Sequence, residues 1–131
     1  MTTADVHDTG LKLRQDIFGS AAVEQRMHAL GKFGEPLQHL INTYAYGDVW
    51  QRSALSRAMK SLCVVAMTAA SGRSDELRVH LKGALNNGCS AEEIQDILLL
   101  VAIYCGIPLA NEAHRVAAEV LSPTATSHQG L

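Results

Sequence analysis

Apolar and polar residues recur along the chain with helical spacing, between short breaks rich in glycine, proline and asparagine. No stretch shows the strict alternation that predicts a half-buried strand. The pattern predicts an all-α protein of about seven helices, over residues 5–18, 20–30, 36–46, 55–71, 74–86, 91–105 and 108–121. We expect residues 1–122 to form a single domain and the polar residues 123–131 to form a disordered tail.

Local signals define the ends of the fifth and sixth helices. In Ser90-Ala-Glu-Glu93 the serine hydroxyl can accept a backbone N–H of the first turn while the glutamate reaches back, which is a capping box. Ser74 is followed by two acidic residues, and this predicts a second serine cap with favourable charge beside it. The sequence Asn86-Asn87-Gly88 is typical of a left-handed helix stop.

Two of the predicted helices are apolar on every face rather than along one stripe. They contain the runs Leu62-Cys-Val-Val-Ala-Met67 and Ile97-Leu-Leu-Leu-Val-Ala-Ile103. A helix that is apolar all round needs partners all round, and a small bundle encloses one such helix more easily than two. We therefore predict an obligate homo-oligomer, a trimer or a hexamer, whose interface covers the remaining apolar surface. The alternative is a single central helix hairpin wrapped by the other helices.

Composition and charge exclude several classes of protein. Hydrophobic residues make up 47% of the chain but aromatic residues only 5%, a composition that suits close-packed helices better than strands. The net charge of −2, with both signs interspersed, leaves no basic patch for a nucleic acid. Three cysteines fit neither a disulfide framework nor a zinc site, which favours a reducing cytoplasm. No secretory signal is visible, and the longest apolar run is shorter than the roughly 20 residues of a membrane span.

The segment from Arg73 to His80 is the first candidate for chemistry. On a helix, Glu76 and His80 share one face, so the carboxylate can orient the imidazole for proton transfer. The alternative is a surface pair of little consequence. No pattern for a nucleotide, a flavin or a metal occurs in the chain. We therefore predict an activity that needs no cofactor and no metal.

A second candidate segment, from Tyr44 to Arg52, crowds two tyrosines, the only tryptophan (Trp50), an aspartate and an arginine around a helix end. The alternative is a tryptophan that merely packs a loop onto the helices. Lys60 lies at the entrance to an apolar helix, where a desolvated amine could bind an anion or form a Schiff base. More often such a lysine extends its amine to solvent.

Four ordered motifs together resemble the carboxymuconolactone decarboxylase family. They are Tyr-Ala-Tyr-Gly-Asp-Val-Trp-Gln-Arg at 44–52, Leu-Ser-Arg at 55–57, Glu-Leu-Arg-Val-His-Leu at 76–81 with Ala-Leu-Asn-Asn-Gly at 84–88, and Ala-Ile-Tyr-Cys-Gly-Ile-Pro-Leu-Ala-Asn at 102–111. The resemblance covers roughly residues 10–121. It implies the all-α AhpD-like fold and a cyclic homo-oligomer, commonly a hexamer. It also implies decarboxylation of 4-carboxymuconolactone to the 3-oxoadipate enol-lactone in protocatechuate breakdown.

The chain departs from related patterns in two ways. The peroxidases of the wider superfamily carry a C-x-x-C-x-x-x-H motif, whereas Arg73 and Glu76 stand at the thiol positions ahead of His80, so we predict no thiol peroxidase activity. Lys60 stands where the decarboxylases are expected to have arginine, and Leu100 where a histidine or glutamine is common. Lysine keeps the charge but loses the two-pronged contact with a carboxylate. Both changes are compatible with neutral drift or with a different substrate.

The chemistry implied by the resemblance needs cations for the carboxylates, hydrogen-bond donors for a developing oxyanion, and an acid that protonates carbon. We assign His80 as the acid and Glu76 as the group that orients it. The predicted substrate-binding residues are Arg52 and Lys60 for the anions, Arg57 or Arg73 as alternatives, and Trp50 and Tyr44 as a wall that excludes water. Two rivals stay open, namely a same-fold enzyme recruited to another lactone or oxo-acid, for instance in a biosynthetic pathway, and a non-catalytic oligomeric binding protein.

Overall fold

The computed structural model describes residues 1–122, and the regular structure within them is helical, without a strand. The prediction of an all-α protein with seven helices is therefore confirmed. The helices are α1 (Thr3–Phe18), α2 (Ser20–His28), α3 (Glu35–Leu40), α4 (Arg57–Ala70), α5 (Ser74–Asn86), α6 (Ala91–Cys105) and α7 (Ile107–Leu121). The predicted tail, 123–131, lies outside the described residues.

The contacts between residues divide the chain into two compact units. The first unit, Met1–Ser56, contains α1 to α3, and the second unit begins at Arg57 and contains α4 to α7. The single domain predicted for residues 1–122 stays a prediction. None of the helices in the described part is long and apolar enough to cross a membrane.

In the first unit, α1 packs on a helical segment that changes its pitch along its length. A 3₁₀ turn (Gly31–Gly34) leads into α3, and the chain continues without a break as a π-helix over Ile41–Tyr46. The third helix was predicted to reach residue 46, and its extent is confirmed, but its second half is π-helical rather than α-helical. The buried core of this unit consists of Leu13, Ile17 and Tyr46.

The second unit is built from two helix pairs, α4 with α5 and α6 with α7, that share one aliphatic core. Val65, Leu81, Ile94 and Val116 are fully buried in it, one from each helix. This core contains no aromatic side chain among its buried members. Small residues such as Ala69 and Ala84 fill the space between helices.

The helix ends confirm one predicted serine cap and correct the other. Ser90 forms the predicted capping box, because its hydroxyl accepts the Glu93 N–H at 3.0 Å and its own N–H donates to the Glu93 carboxylate at 2.8 Å. Ser74 does not cap α5: Arg73 is the N-cap residue, and Ser74 is the first helical residue. The Ser74 hydroxyl instead donates to Glu112 Oε1 at 3.1 Å, so a partner on α7 replaces the local contact.

Candidate functional site

In the first unit, the predicted residues of the 44–52 segment follow the π-helix. Tyr44 is exposed on that helix, and Trp50 lies half-buried in a short 3₁₀ turn, Val49–Gln51. The Trp50 ring stacks on Tyr46, with ring centroids 5.6 Å apart and an interplanar angle of 24°. Trp50 thus packs its own turn against Tyr46, whereas the Tyr44 side chain is 56% exposed.

The turn between the π-helix and Trp50 depends on a residue without a side chain. A Cβ atom on Gly47 would lie 2.4 Å from the carbonyl oxygen of Thr43 and 2.6 Å from that of Val6, closer than any real contact. Gln51 closes the turn by donating its side-chain N–H to the Tyr46 carbonyl at 3.0 Å. Arg52 follows in an extended conformation and is exposed.

Beneath the π-helix lies a partly buried hydrogen-bond network of Arg14, Gln38, Asn42 and His7, here called the Arg14 network. Arg14 Nη1 donates to Gln38 Oε1 at 2.8 Å and to Asn42 Oδ1 at 3.1 Å, and Asn42 Nδ2 lies 3.3 Å from His7 Nε2. Burial lowers the pKa of Arg14. The His7 ring stacks on His39 with centroids 5.4 Å apart. Sequence reasoning missed this network, because His7 and His39 carry no motif and Arg14 is distant in sequence from Asn42.

In the second unit, α5 carries the predicted acid and its partner. Glu76 lies in the exposed first turn and His80 one turn later, where it is half-buried. Leu77 and Leu81, which follow each of them by one residue, are fully buried and fix the rotation of α5 about its axis. The helical register therefore presents the carboxylate and the imidazole on the same face, beside the buried face.

The predicted cations of the second unit lie at the ends of α4 and α5. Arg57 is the exposed first residue of α4, and Lys60 lies half-buried one turn later. Next to Lys60, the buried Ser61 hydroxyl accepts an N–H from Asn87 at 2.9 Å, which ties this turn of α4 to the end of α5. Arg73 is exposed at the start of α5. Lysine at position 60 is thus held on an anchored turn rather than on a frayed helix end.

Two further polar features of the second unit were not predicted. An ion-pair network joins α5 to α7, in which Arg115 contacts both Glu112 and Glu119, and Arg78 donates to Glu119 at 2.6 Å. Hydrogen bonds from Arg115 and then from Ser74 lower the pKa of Glu112.

A groove of about 280 Å³ between α6 and α7 is the second of these features. It is lined by His114, whose Nδ1–H donates to the Ala110 carbonyl at 2.7 Å. This bond holds the His114 imidazole against the backbone of its own helix. Among residues 1–122, no three His, Cys, Asp or Glu side chains are grouped so that they could hold a metal ion.

Comparison with known proteins identifies relatives along most of the chain. The sequence pattern of the carboxymuconolactone decarboxylase family matches residues 35–119. The chain is 37% identical over 111 residues to a 4-carboxymuconolactone decarboxylase of Acinetobacter baylyi, covering 85% of this chain and 83% of the relative. It is also 37% identical over 115 residues to a nitrosuccinic acid decarboxylase of Metarhizium robertsii, covering 88% and 80%. A shorter match, 35% over 80 residues, is to peroxisomal protein 2 of Schizosaccharomyces pombe, covering 58% and 38%.

Proposed function

The chain belongs to the carboxymuconolactone decarboxylase family, and we propose that it removes CO₂ from 4-carboxymuconolactone to give the 3-oxoadipate enol-lactone. The observation that carries this proposal is the 37% identity to a 4-carboxymuconolactone decarboxylase, which extends over 85% of this chain. The stretch that matches the family, residues 35–119, contains the 44–52 and 73–80 segments.

The reaction suits a protein that works with side chains alone. The carboxylate to be lost is on a ring carbon that is allylic to the C=C bond conjugated with the lactone carbonyl. When the bond from that carbon to CO₂ breaks, its electron pair spreads through the C=C bond into the carbonyl, giving a dienolate. A proton then adds to the carbon next to the carbonyl, and the enol-lactone forms. The substrate is its own electron sink, so the enzyme supplies cations, an environment that stabilises the oxyanion, and one proton.

We propose that His80 donates the proton and that Glu76 orients the His80 imidazole. Support comes from α5, where the two share one face and His80 is partly withdrawn from solvent. Lys60 and Arg52 are assigned to the substrate carboxylates, because each is a cation in the matched region. Arg57 and Arg73 are the alternatives for that role. Tyr44 and Trp50 are assigned to the wall that limits access of water.

The test is an ultraviolet assay with 4-carboxymuconolactone generated in situ, run on the protein treated with EDTA and on the untreated protein. We expect turnover in both, since no cofactor is part of the proposal. Loss of activity on EDTA treatment that a metal restores would contradict the cofactor-free chemistry. Absence of turnover in both would remove 4-carboxymuconolactone as the substrate.

A second candidate function is decarboxylation of a different acid whose carboxylate lies next to an electron-withdrawing group. It is favoured by the equal identity, 37%, to the nitrosuccinic acid decarboxylase. The chemistry is parallel, because a nitro group can accept the electron pair that the lactone carbonyl accepts in the first reaction. Lys60 and Leu100, the two departures noted in the sequence, are compatible with such a change. CO₂ release from nitrosuccinate that exceeds turnover of the lactone would decide for this alternative. A protein that decarboxylates neither substrate would instead favour a non-catalytic binding protein.

We also propose that the protein is a homo-oligomer, a trimer or a hexamer, of the AhpD-like fold in the cytoplasm. Support for the oligomer comes from α6, where Ile103 and Tyr104 are 77% and 83% exposed although both are apolar or aromatic. An apolar groove of about 310 Å³ runs beside them between α4 and α6 and includes Met67 and Leu100. Contiguous exposed apolar surface of this kind marks interaction sites. The cytoplasm is supported by three free thiols, Cys63, Cys89 and Cys105.

A further inference from the structure

The π-helix Ile41–Tyr46 packs against α1 at van der Waals contact between backbones. A Cβ atom on Gly10 would lie 1.7 Å from the Asn42 carbonyl oxygen, so only glycine fits at this point of α1. The two backbones therefore meet at this point without a side chain between them. Such π-helical segments are rare and are found frequently at functional sites.

The Arg14 network has only one consistent arrangement of donors and acceptors. Arg14 is a donor, so the side-chain oxygen of Asn42 must face it. The Asn42 amide nitrogen therefore faces His7 Nε2, which accepts the hydrogen bond as a neutral imidazole. The other ring nitrogen of His7 then carries the proton and faces the Asp8 carboxylate at 3.4 Å. The connection from Arg14 to His7 thus depends on the orientation of the Asn42 side chain.

This arrangement is costly in stability. Arg14 is 5% exposed, and the acceptors at its Nη1 are the neutral amides of Gln38 and Asn42. Burial of a charge without an opposite charge is unfavourable. On the same π-helix, the Thr43 hydroxyl is the one buried side-chain group in the described part of the chain with no hydrogen-bond partner. Strained or poorly satisfied segments persist where function depends on their geometry.

Through Tyr46, the π-helix connects the Arg14 network to Trp50, which is a residue of the proposed site. Tyr46, its last residue, is buried against Phe18 at a centroid distance of 5.8 Å and stacks on Trp50 at 5.6 Å. One helical residue added or lost between Asn42 and Tyr46 would rotate Tyr46 by about 100° and would break that stack. The orientation of Trp50 thus depends on the register that Asn42 holds.

We propose that Arg14 and Asn42 are positioning residues, which hold the register of the π-helix and thereby set the orientation of Trp50 and Tyr44 toward the substrate. The inference rests on the proposed function, because that function assigns Trp50 and Tyr44 to the substrate-facing wall. The roles of Arg14 and Asn42 are expected in substrate affinity rather than in the proton transfer assigned to His80.

The test uses Trp50 as its own probe, since it is the only tryptophan in the chain. In Asn42→Ala and Arg14→Met we expect loss of the near-ultraviolet circular dichroism band of Trp50 and stronger quenching of its fluorescence by acrylamide. With 4-carboxymuconolactone we expect KM to rise by about tenfold while kcat changes by less than about threefold. Asn42→Asp keeps an acceptor for Arg14 and should restore both the spectrum and KM. Lys12→Ala, at an exposed position of α1 outside the Arg14 network, is the control and should behave as the wild type.

The two readouts separate the possible failures. An unchanged Trp50 spectrum in both Asn42→Ala and Arg14→Met overturns the inference, whatever the activity. A changed spectrum with unchanged KM overturns the link between register and substrate. Should Arg14→Met fail to fold, the pair Asn42→Ala and Asn42→Asp decides alone. Should the wild type fail to turn over 4-carboxymuconolactone, the proposed function fails, and the spectrum still decides whether Arg14 and Asn42 position Trp50.

Discussion

His80 differs from the other histidines of the described chain by its place on α5, one turn after a carboxylate and partly withdrawn from solvent. His7 is engaged with Asn42, His28 is an exposed partner of Glu24, and His114 is bonded to the backbone. A histidine that must give a proton to carbon needs a fixed orientation and access to substrate. Among these histidines, His80 combines a carboxylate one turn before it with a partly buried side chain.

Substitution of His80 is therefore expected to act on turnover. Removal of a positioned general acid lowers the rate by roughly 10² to 10⁴, and we expect this loss in kcat for His80→Asn, with circular dichroism and oligomer mass unchanged. Glu76→Gln should lose less, because Glu76 orients the acid and does not donate the proton. Near-full turnover of His80→Asn on the true substrate would show that the acid lies elsewhere, and Lys60 would be the next residue to test.

At the scale of the helix, the two serines at the starts of α5 and α6 differ in energetic role. Ser90 caps α6 reciprocally with Glu93, whereas Ser74 lies inside α5 and contacts Glu112 across helices. Loss of a serine N-cap costs about 0.5–2 kcal/mol. Ser90→Ala should therefore lower the free energy of unfolding within that range, measured by urea denaturation. Ser74→Ala is the matched control and should cost clearly less, and equal costs would contradict the assignment of the caps.

The ion-pair network between α5 and α7 gives a pH dependence of known sign. Hydrogen bonds from Arg115 and Ser74 lower the pKa of Glu112, so the folded protein binds a proton there less readily than the unfolded chain does. The stabilising contribution is complete above the ordinary glutamate pKa of about 4.3 and is lost as the pH falls through the lowered value. Because the carboxylate is exposed to solvent and salt, the contribution is small.

Thermal unfolding of the wild type and of Glu112→Gln should show this loss directly. We expect the wild type to have the higher Tm at pH 7 and the difference to shrink below about pH 4. Added salt at pH 7 should reduce the difference in the same way, since exposed ion pairs are screened. A difference in Tm that grows on acidification would contradict the role given to Glu112.

At the scale of the whole molecule, the exposed surface of α6 is the place to test the predicted homo-oligomer. One face of α6 is buried through Ile94, Leu98 and Val101, while Ile103 and Tyr104 are exposed. An apolar residue that is 77% exposed contributes little to the fold of a single chain, so it can be changed to test an interface.

Light scattering should give a mass three or six times that of the 14.1 kDa chain. Ile103→Glu should lower that mass, because a charge at an apolar interface is buried without a partner. Lys12→Glu, a charge reversal at an exposed polar position, is the control and should leave the mass unchanged. A stable monomer of the wild type at micromolar concentration would refute the oligomer.

Local information in the sequence determined the seven helices and one of the two serine caps at their starts. Apolar spacing, capping boxes and glycine stops act within a few residues, and so they can be read along the chain. The same holds for the face shared by Glu76 and His80, which follows from helical register alone. The motifs at 44–52 and 76–88 also carried the family resemblance, which the comparisons confirmed.

The tertiary structure alone decided the features that depend on partners distant in sequence. Ser74 turned from a predicted cap into a contact with Glu112, and Asn42 joined Arg14 below a π-helix that no periodicity predicted. These choices arise because a hydroxyl, an amide or a backbone turn adopts whichever arrangement satisfies its hydrogen bonds when the helices pack. Spacing along the chain carries no record of that competition, since its outcome depends on which helix faces meet.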